Sequence, residues 1–163
     1  MNRDQTDVKE EQFVEDVGIY YEQLGMPRMA GRMMARLLIC DPPHQSMQDL
    51  AHYLQASKGS ISTSSRMLIQ AGIMERIRFP RDRNDYYRIK ENVWSRMFKT
   101  QLDRTIEFKE FIRKGLDILK RAPDTKKDRL TEMLAFYKWL ETEMPRMMDR
   151  WEKHRKRTSA SLR

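Results

Sequence analysis

Ser46-Met-Gln-Asp-Leu-Ala-His-Tyr-Leu-Gln-Ala-Ser-Lys-Gly-Ser-Ile-Ser-Thr-Ser-Ser-Arg-Met-Leu-Ile-Gln-Ala-Gly72 is the stretch on which the fold turns. Ser46 and Asp49 make a variant of the capping box, in which each side chain serves a backbone N–H that the first helical turn leaves open. They open a helix over 47–55 that points Leu50, Ala51 and Leu54 inward. Ala56 and Ser57 form a small-residue corner. A second helix follows over 58–70, and Gly72 sits where a helix C-terminus favours glycine. Helix, short turn, helix is a helix-turn-helix pattern. In the second helix Ile61, Ser65 and Leu68 fall at the spacing of a buried face. Its other side carries Ser60, Ser62, Thr63 and Arg66, with Lys58 at the electropositive start. Short hydroxyl side chains allow close approach to base edges, and arginine can bond guanine through two parallel hydrogen bonds. Gly59 leaves the helix start open to a ligand backbone.

Immediately downstream the periodicity changes from helical to alternating. Residues 73–79 place Ile73, Glu75, Ile77 and Phe79 on one side of a strand and Arg76 and Arg78 on the other. Pro80-Arg-Asp-Arg-Asn84 is turn material, and residues 85–90 give a second strand rich in aromatics. A basic β-hairpin after a helix-turn-helix makes a winged helix. Between Ser57 and Lys90 there are eight Lys or Arg and three Asp or Glu, so +5 of the chain's +8 lies in this segment. Arg81 and Arg83 at the tip suit a narrow minor groove, and Asp82 is expected to pair with one of them. Each signal has a plainer rival: a hydroxyl-rich helix face is often only solvated, and basic residues also protect exposed strands. Their order along the chain favours DNA.

Upstream, a helix is expected from Asp7, with Glu10 as its capping partner and Phe13, Val17, Tyr20, Tyr21 and Leu24 at helical spacing before Gly25. Pro27 opens a second helix, with Met29, Met33, Leu37 and Leu38 on one face and Arg28, Arg32 and Arg36 on another, ended by Asp41-Pro42-Pro43. That arginine stripe either touches phosphates or is simply solvated. Downstream, Asn92 caps a long helix running to about residue 120, and Thr125 with Asp128 caps a last one. The last helix carries a heptad: Leu130, Tyr137, Met144 and Trp151 in one register, Met133, Leu140 and Met147 in the other. Such a seam meets another helix. A dimer partner is the favoured one, because one reader spans too little DNA, and an intrachain hairpin is the competing assignment. A kink or break is expected at Pro145.

The fold class expected is therefore mainly α: a winged helix-turn-helix with a β-hairpin wing, and long helices forming a dimerisation region. The divisions are a dimerisation helix over 1–24, a DNA-binding domain over 25–91, two long dimerisation helices over 92–157, and a disordered tail over 158–163. Composition agrees. Among 163 residues there are only 6 Gly and 6 Pro, and Lys plus Arg outnumber Asp plus Glu by 32 to 24. Such a balance favours an anionic partner, nucleic acid or a membrane surface. The basic residues of 146–163 offer membrane binding, but the apolar face there belongs to the heptad. No apolar run is long enough to span a bilayer, and the first residues lack the apolar core of a signal peptide. A cytoplasmic protein with no membrane association is expected. Cys40 alone makes no disulfide framework, and an inert, buried thiol is expected. His44, His52 and His154 have no metal-ligand spacing, and 13 Met read as adaptable core. No phosphate loop or nucleophile motif is present, so no enzyme activity, cofactor or metal is expected. The other non-enzymatic class is a winged-helix scaffold that binds proteins, which has no need of an arginine-rich tip.

Gly25-Met-Pro-Arg-Met-Ala-Gly-Arg32, Leu38-Ile-Cys-Asp-Pro-Pro-His44, Leu54-Gln-Ala-Ser-Lys-Gly-Ser-Ile-Ser62, Leu68-Ile-Gln-Ala-Gly-Ile-Met-Glu-Arg76 and Asp85-Tyr-Tyr-Arg-Ile89 resemble the GbsR-like branch of the MarR-type regulators. The resemblance implies a homodimer on a palindromic operator, with the helix over 58–70 in the major groove and the arginine matching Arg83 in the wing. The family's Asp-x-Arg wing pattern is only loosely kept, as Arg81-Asp82-Arg83-Asn84. It also implies an effector: choline-like ligands are linked to that branch, and Trp94, Phe98, Tyr20 and Tyr21 are candidates for a cation–π cage, though core packing is the plainer role for aromatics at this spacing.

Overall fold

A computed structural model describes the backbone of residues 3–161 and, within it, the side chains of 5–157 apart from 101 and 106. In chain order the elements are α1 (Arg3–Gln23), α2 (Arg28–Ile39), β1 (Gln45–Ser46), α3 (Met47–Tyr53), α4 (Lys58–Gln70), β2 (Met74–Ile77), β3 (Tyr86–Ile89), α5 (Val93–Ile118) and α6 (Asp124–Ser161). They group into two compact units, Met1–Val93 and Trp94–Arg163. None of the described helices is long and apolar enough to cross a membrane.

In the first unit α2 is the central element. It buries Ala30, Gly31, Met33, Met34, Ala35 and Leu37, while Leu38 is exposed. α1 begins before Asp7, so the Asp7–Glu10 cap is not used. Its packed face is Val14, Val17, Gly18 and Tyr21, whereas Phe13, Tyr20 and Leu24 are exposed. The two helices approach closely because glycines meet at the crossing: a Cβ on Gly31 would stand 3.1 Å from Gly18 Cα. α1 stops at Gly25, whose φ of +80° lets its N–H reach the Glu22 carbonyl and the Met26 N–H reach that of Tyr21. These two bonds are the Schellman arrangement, which a Cβ disfavours. Pro27 precedes α2 as its N-cap residue.

The arginine stripe of α2 is engaged by acids of α1, with Arg28 still exposed at 45% and Arg32 and Arg36 largely covered. Arg28 and Arg32 both reach Glu15, at 2.8 and 2.5 Å, and Arg36 reaches Glu10 at 2.9 Å. Arg36 also lies 3.9 Å from the centre of the Tyr53 ring. α1 is thus held to α2 by a ladder of ion pairs beside the glycine crossing, a choice of partner that no local spacing encodes.

The helix-turn-helix forms as expected, with α3 ending at Tyr53. Ser46 Oγ accepts from the Asp49 N–H at 3.1 Å while Asp49 Oδ2 accepts from the Ser46 N–H at 3.1 Å. α4 covers 58–70 as read from the sequence. It ends in a second Schellman pair at Gly72, with Gly72 N–H on Ile69 and Ile73 N–H on Leu68. Leu50, Leu54, Ile61, Leu68, Ile73, Met74 and Tyr87 join the α2 residues in one core. The strands are shorter than expected, and Met74, which alternation put on the arginine side, is fully buried. A third strand went unread: Gln45 and Ser46 pair antiparallel with Tyr87 and Tyr86, giving the order β1-β3-β2.

In the second unit α5 and α6 form an antiparallel hairpin. Trp151 Nε1 donates to Ser95 Oγ at 2.8 Å, and the Phe108 and Tyr137 rings are 5.6 Å apart. Lys109 pairs with Glu141, and a Cβ on Gly115 would meet Leu130 Cδ1 at 3.0 Å. Leu130, Tyr137 and Trp151 of the heptad therefore meet α5 of the same chain, as in the competing hairpin assignment, with Trp151 still 44% exposed. α6 runs through Pro145 without a break and starts at Asp124, so Thr125 is not its cap. Asn92 adopts φ +56° rather than a cap conformation. The tail expected to be disordered from 158 is helical to Ser161, and 162–163 lie outside the described residues.

Candidate nucleic-acid interface

The two faces of α4 are set by its capping and burial. Ser57 Oγ accepts from the Ser60 N–H at 3.2 Å, fixing the start of the helix. Ile61, Ser64, Ser65 and Leu68 are buried, so Lys58, Thr63 and Arg66 are exposed and Ser60 and Ser62 are half-buried at the edges. Around Gly59 the surface is open: a Cβ would meet only Ser57 Oγ, at 3.9 Å. Lys58, Ser60, Ser62, Thr63 and Arg66 thus lie where the sequence placed them, and Ser64 joins the buried face unforeseen.

The wing is organised by its acids. Glu75 takes Arg88 across the β2–β3 ladder at 2.7 Å, and Asp85 takes both Arg76, at 3.1 Å, and Arg78, at 2.5 Å. Asp82 does not pair with a neighbouring arginine as expected. It accepts from the Asn84 N–H at 2.9 Å and the Tyr86 hydroxyl at 2.7 Å, pinning the loop. Phe79 and Tyr86 close the base of the hairpin with His44, at ring separations of 4.8 to 5.2 Å. The tip is a tight turn in which the Asp82 N–H bonds the Phe79 carbonyl at 3.2 Å and Arg81 takes φ +70°.

Charge follows from this pairing. All three acids of the segment are engaged, and among the described residues the side chains of Lys58, Arg66, Arg81 and Arg83, besides the half-buried Lys90, make no ion pair. These four cations, all exposed, are the four nominated by the sequence. Lys58 and Arg83 come from different elements yet line one groove, together with Ser46, Gln48, Asn84 and Tyr87. Gln48 and Asn84 escaped the sequence reading because nothing local marks them as neighbours of Lys58.

The same pairing makes the wing acid-sensitive. The Arg78 guanidinium, helped by Arg76, holds the Asp85 carboxyl below its usual range, and the Asn84 N–H and Tyr86 hydroxyl do the same for Asp82. A carboxyl with a depressed folded pKa stabilises fully above its unfolded value, about 3.9, and loses that contribution as pH falls through the lower folded value. Wing amides are therefore expected to gain hydrogen exchange below about pH 4, ahead of those of α2 and α4, and Asp85→Asn to abolish most of that difference. Wing and core opening together would contradict it.

The remaining candidates play other parts. Cys40 is buried, its Sγ 3.8 Å from the Leu37 carbonyl, and burial pushes the thiol pKa up, away from reactivity. Tyr20 and Tyr21 meet edge to face at 5.7 Å in the first unit, whereas Trp94 and Phe98 are exposed on the second. Among the described residues no three His, Cys, Asp or Glu gather as a metal site.

Comparison with known proteins agrees with this architecture. The chain is 38% identical over 130 residues to the HTH-type transcriptional regulator MmpR5 of Mycobacterium tuberculosis (strain ATCC 25618 / H37Rv), covering 80% of this chain and 79% of that one. The chain belongs to the MarR family of transcriptional regulators. A model of MmpR5-like MarR family transcriptional regulators matches residues 92–154 of this MarR-family chain. A solved structure described as a transcriptional regulator superposes with a TM-score of 0.74 at 35% identity, covering 89% of this chain and 99% of that one.

Proposed function

We propose that this MarR-family regulator acts as a cytoplasmic homodimer on a palindromic operator in double-stranded DNA, with α4 in the major groove and the wing in the minor groove. The observation that carries the reading is the set of four exposed cations, Lys58, Arg66, Arg81 and Arg83, left without ion pairs by a wing that neutralises its other arginines internally. Phosphates complete them. The motifs quoted from residues 25–89 support a likeness to the GbsR-like branch within the family.

For the dimer we infer a face of the second unit other than the heptad seam. Phe108, Phe111, Ile118, Phe136 and Trp139 of that unit are exposed, Ile118 at 83%, and large apolar side chains left open to solvent favour a partner surface. Two copies place two α4 helices on half-sites about 34 Å apart. Modulation of DNA affinity by a small-molecule effector belongs to the same reading. The domain roles follow: residues 25–91 bind DNA, and 1–24 and 92–157 serve dimerisation.

Selection from a pool of genomic duplex fragments at two salt concentrations tests this. A shared palindromic site, affinity falling steeply with salt, and a loss of about 10-fold or more for Arg66→Ala concentrated at one base position are expected. Enrichment of no site would leave the protein-interaction scaffold.

A further inference from the structure

We propose that the two wing arginines divide the work: Arg83 closes with Lys58 on a single DNA phosphate, and Arg81 alone enters the minor groove. The inference rests on the DNA-binding reading above and assigns its contacts.

Arg83 and Lys58 converge on one groove although they come from the wing and from the start of α4. Asp85 also lines this groove, but its carboxylate is occupied by Arg76 and Arg78. Two cations therefore face a shared space with no acid free to separate them. An oxygen-rich monoanion satisfies both: the forked guanidinium bonds two phosphate oxygens and the ammonium supplies a point charge. Gln48 and Asn84, on the same walls, add neutral donors. Such a clamp fixes position and carries no base information.

Arg81 stands outside that groove. It occupies the tight turn Phe79–Asp82 at φ +70°, a backbone conformation suited to glycine. Backbone strain of this kind in residues other than glycine is concentrated at functional sites. Asp82, between the two arginines, is pinned by the Asn84 N–H and the Tyr86 hydroxyl, so both are presented from a braced frame. Arginine at the extremity of a braced loop matches the strong negative potential of a narrow A·T minor groove.

The test uses the full chain and the duplex recovered by selection, made with A·T or G·C flanks and with single methylphosphonate linkages scanned along the backbone. Arg83→Ala and Lys58→Ala are each expected to weaken binding about 10-fold on both flanks and to flatten the salt slope by about 1. One methylphosphonate should make both substitutions silent. Arg81→Gly is expected to erase the preference for A·T flanks while raising the Tm of the free protein by about 2 °C, since the turn loses a disfavoured side chain. The division is overturned if Arg83→Ala erases the flank preference and Arg81→Gly does not, or if no single methylphosphonate cancels both Lys58 and Arg83. Wild-type protein that selects no duplex overturns the DNA-binding reading itself, and this assignment with it.

Discussion

Gly31→Val is expected to cost about 3 kcal/mol of folding stability, at the upper end of ordinary overpacking. For a chain of this size the corresponding fall in Tm is roughly 6–12 °C. The reason lies in which atoms would be struck. A Cβ at residue 31 would lie 2.9 Å from Tyr21 Cβ, 3.0 Å from the Val17 carbonyl oxygen and 3.1 Å from Gly18 Cα. Two of these are backbone atoms of α1, which no rotamer change can move. The helices must part, and the Glu15 and Glu10 ion pairs stretch with them. Gly18 is a useful contrast. There a Cβ would meet Arg32 Cγ at 2.6 Å, a flexible side chain, with the Arg28 carbonyl oxygen at a tolerable 3.4 Å. Gly18→Ala should therefore destabilise less than Gly31→Ala. Thermal unfolding of the three variants decides the matter, and a Gly31→Val protein melting within about 2 °C of wild type would remove the close crossing from the account.

Glu141→Ala is expected to destabilise the α5–α6 hairpin by about 3 kcal/mol, and Lys109→Met by about 1 kcal/mol or less. The asymmetry follows from where the two charges sit. The Lys109 side chain is 7% exposed and that of Glu141 39% exposed. Removing the glutamate strands an ammonium away from water, whereas removing the lysine leaves a carboxylate that solvent reaches, with methionine filling the space of the stem. The double variant should recover most of what Glu141→Ala loses. All three tryptophans, Trp94, Trp139 and Trp151, belong to this unit, so their fluorescence in a urea titration reports on it directly. Equal losses for the two single substitutions would mean that the ion pair does not hold the hairpin.

The candidate site shows how far residue types alone can go. The sequence singles out Arg66, Arg81 and Arg83 by their place on the helix and at the hairpin tip, but gives no reason for Arg76, Arg78 and Arg88 to be neutralised. The distinction is made when β2 and β3 pair, because only then do Glu75 and Asp85 reach their arginines. The charge excess of the segment and the candidate cations were legible beforehand, but the acid–arginine pairing that spares them was not. Asp82 is a similar case. Its neighbours in sequence are arginines, yet the Tyr86 hydroxyl and the Asn84 N–H take it, since the turn aims the carboxylate back toward β3.

What the sequence determined by itself is what short-range physics controls. α4 was bounded to the residue, because Ser57 and Gly72 satisfy its terminal backbone groups within three to five residues of themselves. The Ser46–Asp49 box, the stop at Gly25, the inward face of α4 and the presence of a basic hairpin are local in the same sense. The tertiary structure alone decided partners. Helical period says that a face is apolar, but not what covers it, so the heptad of α6 closed on α5 and the arginine stripe of α2 closed on α1. β1 is two residues long and gains its strand only from the edge that β3 offers. Such choices depend on contacts many residues apart, whose free energy appears only when the whole chain has packed.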